Sequence, residues 1–151
     1  MNIDWRVVPH QSEWYVQSLA LRDRILRKPL GLLFEPADLH GESVDVHVVG
    51  IVDTCVVACC ILSHLKQAHA FKMRQVAVLE SQQRRGLGRQ LVNFCEHLAI
   101  QERKSSLVLH AREGAVPFYL ALGYETEGAE FMEVGIPHRR MMKLVDANPS
   151  R

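Results

Sequence analysis

Long uninterrupted apolar runs are missing from this sequence. A membrane-spanning helix needs roughly 20 consecutive, mostly apolar residues. A secretory signal needs a basic start followed by an apolar run, and the opening residues Met1-Asn2-Ile3-Asp4-Trp5 have neither. These two absences predict a cytoplasmic protein that has no membrane partner.

Metal-binding patterns and a strong charge of either sign are also missing. The eight histidines include no HExxH motif, so no metal site is predicted. The net charge of +1 leaves no large basic footprint, so no nucleic-acid partner is expected. The cysteines lie in apolar segments without CxxC spacing, which predicts buried free thiols. They are Cys55, Cys59, Cys60 and Cys95.

The chain has 151 residues, of which 48% are hydrophobic and 23% are charged, as in ordinary globular proteins. No repeat or Pro/Gly/Ser-rich linker divides it, so residues 1–151 are predicted to form a single domain. Apolar periodicity predicts an α+β fold in which a mixed sheet has helices on its faces. Strands are predicted at 3–8, 43–53, 54–65, 70–78, 106–110, 124–127 and 136–144, and helices at 11–26, from 86 onward and at 117–122.

The strand at 70–78 changes phase in its middle. Phe71 and Met73 are apolar at odd positions, whereas Val76 and Val78 are apolar at even ones. Since side chains alternate between the two faces of a strand, one inserted residue would explain the change. The pattern predicts a β-bulge near residues 74–75 in a central strand. A strand buried on both faces would give the same pattern.

The most informative segment is QRRGLG at residues 83–88, where a strand leads into a helix. The first amides of a helix lack intrahelical acceptors and attract anions. Gly86 and Gly88 let phosphate oxygens approach the backbone, and Arg84, Arg85 and Arg89 add positive charge. A tight turn with a solvated basic face is the simpler alternative. Leu91 stands where a Rossmann fingerprint needs a small residue, and no GK[ST] follows.

Two groups of residues resemble motifs A and B of the GNAT N-acetyltransferase superfamily. MRQVAV at 73–78 followed by QRRGLG at 83–88 resembles motif A, which contains [QR]-x-x-G-x-[GA]. LHAR at 109–112, followed by Ala115, Phe118, Tyr119, Gly123 and Tyr124, resembles motif B. The two motifs occur in the family's order and cover most of the chain.

The resemblance implies a mostly antiparallel sheet flanked by helices on both faces, and acetyl-CoA as the cosubstrate. It also implies transfer of the acetyl group to a primary amine of a small molecule or a protein by direct attack. Family members occur as monomers and dimers, so a homodimer is compatible with it. The cofactor-binding residues implied by the resemblance are Val76, Ala77, Val78, Gln83, Arg84, Arg85, Gly86, Leu87, Gly88 and Arg89. Arg112 is added at a position near the cofactor that often carries Asn or Gln in the family, so its identity departs from the pattern; a phosphate contact and a surface salt bridge are the two alternatives for it.

By the same resemblance, Tyr119 is the general acid that returns a proton to the thiolate of CoA. The alternative is that Tyr119 packs in the core beside Phe118. The base is assigned to His138, in the sequence GIPH, and Glu42 and His110 are further candidates by chemistry. A purely structural histidine, hydrogen-bonded at the start of a strand, is the alternative for His138. Cys95 is not expected to carry an acyl group, because it lies on an apolar helix stripe.

The motifs do not describe the acceptor. Residues 27–41 and 125–136 are expected to form the loops that select it. Glu127, Glu130 and Glu133 in the second loop could attract a cationic amine, although an acidic loop is more often solvated. A different class of function, a CoA-binding sensor or interaction module without turnover, would share the same cofactor residues.

Overall fold

The structure is a computed structural model, and it describes residues 2–32 and 39–145. Seven strands form one sheet with the order β1-β2-β3-β4-β5-β7-β6. They are β1 (Asp4–Val8), β2 (Val46–Val52), β3 (Cys55–Leu65), β4 (Ala70–Val78), β5 (Ser106–Arg112), β6 (Glu125–Glu133) and β7 (Ile136–Leu144). Among the helices of the described residues are α1 (Glu13–Arg22), α2 (Leu87–Gln101) and α3 (Val116–Ala121).

The strand pairing confirms the predicted mixed, mostly antiparallel sheet. β1 pairs with β2, β2 with β3, β5 with β7 and β7 with β6, all in antiparallel register. The pairing of β4 with β5 is parallel and aligns Ala70–Met73 with Ser106–Leu109. α2 forms the connection between these two parallel strands, as expected where strands cannot be joined by a tight turn.

The chain divides into two compact units, each built from two segments. The first consists of Met1–Ser63 and Gln75–Cys95, and the second of His64–Arg74 and Glu96–Arg151. In the first, an apolar cluster buries side chains from β1, β2, β3 and α1, including Val8, Val49 and Leu21. Both tryptophans belong to this unit: Trp14 packs against that cluster, and Trp5 stacks on Phe94 with 6.3 Å between ring centroids.

Trp5 also explains a glycine inside β2. A Cβ added at Gly50 would lie 2.5 Å from the Trp5 ring, so only glycine leaves room for the indole. The indole nitrogen donates a hydrogen bond to Gln90 Oε1 at 3.3 Å. Trp5 therefore links the edge strand β1 to α2 within the first unit.

Two predicted boundaries were wrong. The predicted helix at 11–26 is α-helical only to Arg22, and Asp23–Arg27 continues as one π-helical turn. The strand predicted to end at residue 127 continues to Glu133, with a register shift between Glu127 and Phe131. Residues 125–133 are therefore strand rather than loop. Of the other predicted acceptor loop, residues 33–38 lie outside the described residues.

Candidate functional site

β4 runs without a break from Ala70 to Val78, but its backbone is distorted in its middle, where the sequence predicts a bulge. Gln75 has a φ of 56°, in the left-handed region that non-glycine residues seldom adopt. Burial does not change face at Gln75, because Phe71 and Met73 before it and Ala77 after it are all buried at odd positions; Ala70, at the start of the strand, is buried as well. The three predicted cofactor-binding residues that follow Gln75 differ in burial: Ala77 packs inward, and Val76 and Val78 are half-buried.

The turn after β4 holds two residues with positive φ on either side of Arg85. Arg84 has a φ of 64° and Gly86 a φ of 81°, whereas the φ of Arg85 is not positive. Such alternation aims successive backbone amides toward one side and forms a concave anion-binding arrangement. A Cβ at Gly86 would meet no atom within 4 Å, so open space lies beside this backbone. Arg84, Arg85 and Arg89 are exposed around it.

The first turn of α2 adds amides to this arrangement. Gln90 N–H donates to Gly86 O at 3.1 Å, which is the first hydrogen bond of the helix. The amides of Leu87, Gly88 and Arg89 precede that bond and point out of the helix end, where the helix dipole is positive. The Leu87 side chain is buried, so only its backbone can contact a ligand. No acidic residue lies in this first turn to compete with an anion.

Gln83 has a structural partner. Its side-chain Nε2 donates to Val78 O at 2.9 Å, and the bond ties the turn to the end of β4. The Gln83 side chain therefore shapes the turn, and one lone pair of the Val78 carbonyl is occupied.

The second unit contains Tyr119 in a buried position, with 7% of its surface exposed. The ring contacts Phe118 and Tyr124 edge to face, with centroid separations of 4.9 and 5.7 Å. Phe118, the neighbour in sequence, is 39% exposed. The Tyr124 hydroxyl donates to Glu96 at 3.0 Å, and Lys143 Nζ binds the same carboxylate. Tyr119 thus lies at one end of a packed and hydrogen-bonded set of side chains.

His138 lies in β7 and is buried, with 5% exposure. Its Nδ1 is 2.8 Å from Ile136 O. A carbonyl oxygen can only accept, so Nδ1 carries the hydrogen and Nε2 of the neutral ring holds the lone pair. Phe131 stacks on the imidazole with 6.1 Å between centroids. The hydrogen bond expected of a purely structural histidine is therefore present in His138. The same bond leaves the lone pair of the neutral ring on Nε2, as a general base requires.

His110 lies in β5, close to the same aromatic ring. Its Nδ1 is 2.8 Å from Glu133 Oε2, and Phe131 meets the imidazole edge on at 4.9 Å. Phe131 therefore contacts both histidines. Arg112, two residues beyond His110, lies opposite His138 in the register of β5 and β7.

Glu42 is not suited to be the base. It is 2% exposed and binds Arg22 through both oxygens at 2.9 and 2.7 Å, while the Tyr15 hydroxyl donates to Oε1 at 2.8 Å. Burial alone would raise the pKa of the Glu42 carboxyl. The hydrogen bonds and positive charge of Arg22 outweigh it and hold the pKa below its ordinary value. Glu42 therefore has a structural role in the first unit.

The sequence did not indicate Phe131 and Glu133 as neighbours of the histidines. Their placement depends on the hairpin that joins β6 to β7, whose turn residues Val134 and Gly135 have φ values of 46° and 74°. Positive φ at both central positions is characteristic of a two-residue type I′ hairpin. A β-branched residue is unusual there, so the Val-Gly pair gave little sign of the turn. The glycine, followed by alternating Ile136 and His138, was the available signal.

The described residues contain neither a metal-binding cluster nor a membrane-spanning helix. In residues 2–32 and 39–145, no group of three or more His, Cys, Asp or Glu side chains could hold a metal ion. No helix in this part of the chain has the length and apolarity needed to cross a membrane.

Comparisons with known proteins agree with the motifs. A family model for the acetyltransferase (GNAT) domain matches residues 53–145. YyaT of Bacillus subtilis is 35% identical over 80 residues, which are 53% of this chain and 54% of YyaT. The chain spans about half the length of the curated relatives it matches.

Solved structures share the fold at low identity. An acyl-CoA N-acyltransferase from Pseudomonas aeruginosa matches with a TM-score of 0.82 and 18% identity, covering 94% of this chain and 99% of that one. An aminoglycoside 6'-N-acetyltransferase, solved in complex with coenzyme A, matches with a TM-score of 0.77 and 14% identity over 96% and 97% of the two chains. At these identities the likeness establishes the architecture only.

Proposed function

Since the chain belongs to the GNAT acetyltransferase family, we propose that it transfers an acetyl group from acetyl-CoA to a primary amine. The observation that carries the proposal is the turn at residues 83–88. It offers alternating backbone amides, a helix N-terminus and three exposed guanidinium groups around open space. A pyrophosphate with its two negative charges matches that arrangement.

The cofactor is assigned to the residues of β4 that follow Gln75 as well as to the turn. Backbone amides of residues 84–89 hold the pyrophosphate, and backbone groups of Val76 and Val78 pair with pantetheine. The Val76 N–H, or a neighbouring amide, polarises the thioester carbonyl. One such amide aimed at a developing oxyanion contributes about 3 kcal/mol to the transition state. Arg112 is assigned a phosphate contact, and the described residues offer it no carboxylate partner in a hydrogen bond or ion pair.

The proton leaves the amine through His138. Its Nε2 holds the lone pair because Nδ1–H is bound to Ile136 O. The neutral amine nitrogen then attacks the thioester carbon and the C–S bond breaks, which yields the amide and the CoA thiolate. Tyr119 returns a proton to that sulfur. Cys95 takes no part, because it is fully buried with Sγ 3.3 Å from Cys60 Sγ.

Calorimetry with acetyl-CoA and thiol release across an amine panel test the proposal. We expect saturable acetyl-CoA binding and release of CoA that requires an amine. In His138→Gln we expect kcat to fall roughly a hundredfold, as for loss of a general base, and the limb of the kcat/KM pH profile that reports this base to disappear. Absence of acetyl-CoA binding at millimolar concentration would contradict the assignment. Binding without amine-dependent release would favour a CoA sensor instead.

A further inference from the structure

One face of the sheet in the second unit carries polar side chains. Residues opposite each other on paired strands project to the same side, as do residues two apart in one strand. Lys72 lies opposite Val108, His110 opposite Arg140, and Arg112 opposite His138, so these side chains share one face. The register of β6 and β7 adds Phe131 and Glu133. The polar sheet face is defined as Lys72, His110, Arg112, Phe131, Glu133, His138 and Arg140.

The opposite face is closed by apolar packing. Leu107, Leu109 and Met141 project from it and are almost completely buried. The residues of the polar sheet face, by contrast, are half-buried or exposed apart from His138, the proposed base. Val108, which projects to the same side beside Lys72, is also buried.

The carboxylates close to this face are already engaged. Glu133 binds His110 at 2.8 Å, and Glu127 binds Arg140 at 3.2 Å. Lys72 has neither a hydrogen bond nor an ion pair with any residue in the described part of the chain. A half-buried ammonium that lacks a hydrogen-bonded partner is costly to keep, unless a ligand supplies the anion.

The charges around Lys72 also favour an anionic ligand at this residue. Burial lowers the pKa of the Lys72 ammonium; Glu133 opposes that effect, and the positive charges of Arg74 and Arg140 add to it. An anion placed beside Lys72 would relieve both the desolvation and the repulsion. The local charge thus favours an acidic group over a second cation.

We propose that the acceptor is a primary amine that also carries an anionic group, and that Lys72 binds that group while the amine lies at His138. The inference rests on the proposed function. Lys72 is a specificity-determining residue that selects a class of acceptor and has no part in the proton transfers.

The register also sets the spacing between the two ends of the acceptor. Lys72 lies at the level of Val108 and His138 at the level of Arg112, four residues further along β5. At a rise of roughly 3.3 Å per residue this is about 13 Å along the strands, and β4 and β7 are also two strands apart, which adds roughly 10 Å across the sheet. The two side chains bridge part of that distance, so the amine and the anion are several bonds apart. An ω-amine fits this spacing, and an α-amine next to its carboxylate does not.

Matched amine pairs test the proposal through thiol release. Each pair differs in the anionic group: 5-aminovalerate with pentylamine, L-lysine with cadaverine, glycine with methylamine, and O-phosphoethanolamine with ethanolamine. We expect the anionic member of the first two pairs to have a kcat/KM higher by roughly tenfold or more, as for a charge-assisted hydrogen bond. We expect no such preference for glycine. The fourth pair shows whether a phosphate can replace the carboxylate.

The variant Lys72→Met should lose that preference through KM, with kcat little changed, and Lys72→Arg should keep part of it. Lys66→Met, an exposed lysine in the same unit, is the matched control and should behave as wild type. If the amines that lack the anionic group have a kcat/KM equal to or higher than that of their anionic partners, with robust thiol release, the proposal is overturned and acetyl transfer is left standing.

Binding of 5-acetamidovalerate, the product expected from 5-aminovalerate, gives a readout that does not need turnover. Calorimetry should show binding that Lys72→Met weakens by roughly tenfold. If the protein shows no acetyl-CoA binding, the proposed function fails by itself, and this titration still tests the anion site. Affinity for 5-acetamidovalerate that is absent, or unchanged in Lys72→Met, refutes the role of Lys72.

Discussion

Two adjacent aromatic residues in α3 lie in opposite environments. Tyr119 is buried against Tyr124, while Phe118 is 39% exposed. Successive residues on a helix are separated by about 100° of rotation, so one of them must point away from the core. The sequence could predict that division, but it could not predict which ring points inward. Burial does not decide between packing and proton donation for Tyr119, because an acid beside a bound thioester is itself enclosed.

Replacing the Tyr119 hydroxyl separates these two roles. For Tyr119→Phe we expect kcat to fall roughly a hundredfold, the range for loss of a general acid, because the ring that packs the site remains. The affinity for acetyl-CoA should stay within about twofold. Thiol-release kinetics give kcat, and calorimetry gives the affinity for acetyl-CoA. The matched control is Tyr124→Phe, which loses a hydroxyl bound to Glu96; activity equal to wild type in both variants would assign Tyr119 to packing.

At the level of secondary-structure elements, the junction of β4 and α2 depends on local sequence. The strand at Ala70–Val78 and the helix beginning at Leu87 were predicted correctly, since a change of period and two glycines mark them. β6 could not be predicted in the same way. Its residues are nearly all exposed, so the alternation that identifies a strand is absent, and its pairing with β7 supplies the order.

The candidate site likewise has a part that depends on neighbouring residues in the sequence and a part that depends on distant ones. The turn to which the pyrophosphate is assigned could be predicted from six consecutive residues, because helix amides and glycines act locally. The buried pair of Arg22 and Glu42 joins residues 20 apart and could not be read in that way. The same holds for His110 and Glu133, which come together only through the register of three strands.

Gly86→Glu tests the junction of β4 and α2 as a binding element. The side chain would have open space, yet it adds negative charge where the phosphates are assigned and forces a φ of 81° on a residue with a Cβ. We expect acetyl-CoA affinity to fall at least tenfold, about 1.4 kcal/mol, in a protein that still folds. Calorimetry measures the acetyl-CoA affinity, and circular dichroism shows whether the variant folds.

Gly31→Glu is the control for strain and charge in the same unit. Gly31 has a φ of 69° and also has open space around its Cβ position. The Gly31→Glu variant should lose about as much stability as Gly86→Glu and keep its acetyl-CoA affinity. An equal loss of affinity in both variants would attribute the effect of Gly86→Glu to folding.

For the whole molecule, the dependence of stability on pH follows from the buried polar groups around Glu42. Burial lowers the pKa of His47, whose Nε2 lies 2.7 Å from Glu42 O. The pKa of Glu42 is also lowered, because Arg22 outweighs the effect of burial. In both cases the unfolded chain binds a proton at a higher pH than the folded one. Stability is therefore lost as pH falls, first below the ordinary His value of 6.5 and then below the ordinary Glu value of 4.5.

Glu42→Gln isolates the second step. At pH 7 we expect a loss of about 3–5 kcal/mol in the free energy of unfolding, because Arg22 is left as a buried charge without its counterion. The decline below pH 4.5 should become shallower, and the decline that begins near 6.5 should remain. Urea unfolding at several pH values gives both slopes. Glu80→Gln removes an exposed partner of Arg24 and should have a much smaller effect; equal losses in the two variants would contradict the account of Glu42.

The position of Trp5 over Gly50 has a practical consequence for such measurements. Both tryptophans of the chain, Trp5 and Trp14, belong to the first unit, which also contains the anion-binding turn. Indole emission therefore reports directly on that unit and its glycine contact. Tyr119, His138 and Lys72 lie in the other unit, which has no intrinsic indole fluorophore. A change in indole emission on binding or unfolding therefore reports the first unit, and the residues proposed to choose and deprotonate the acceptor need a probe of their own.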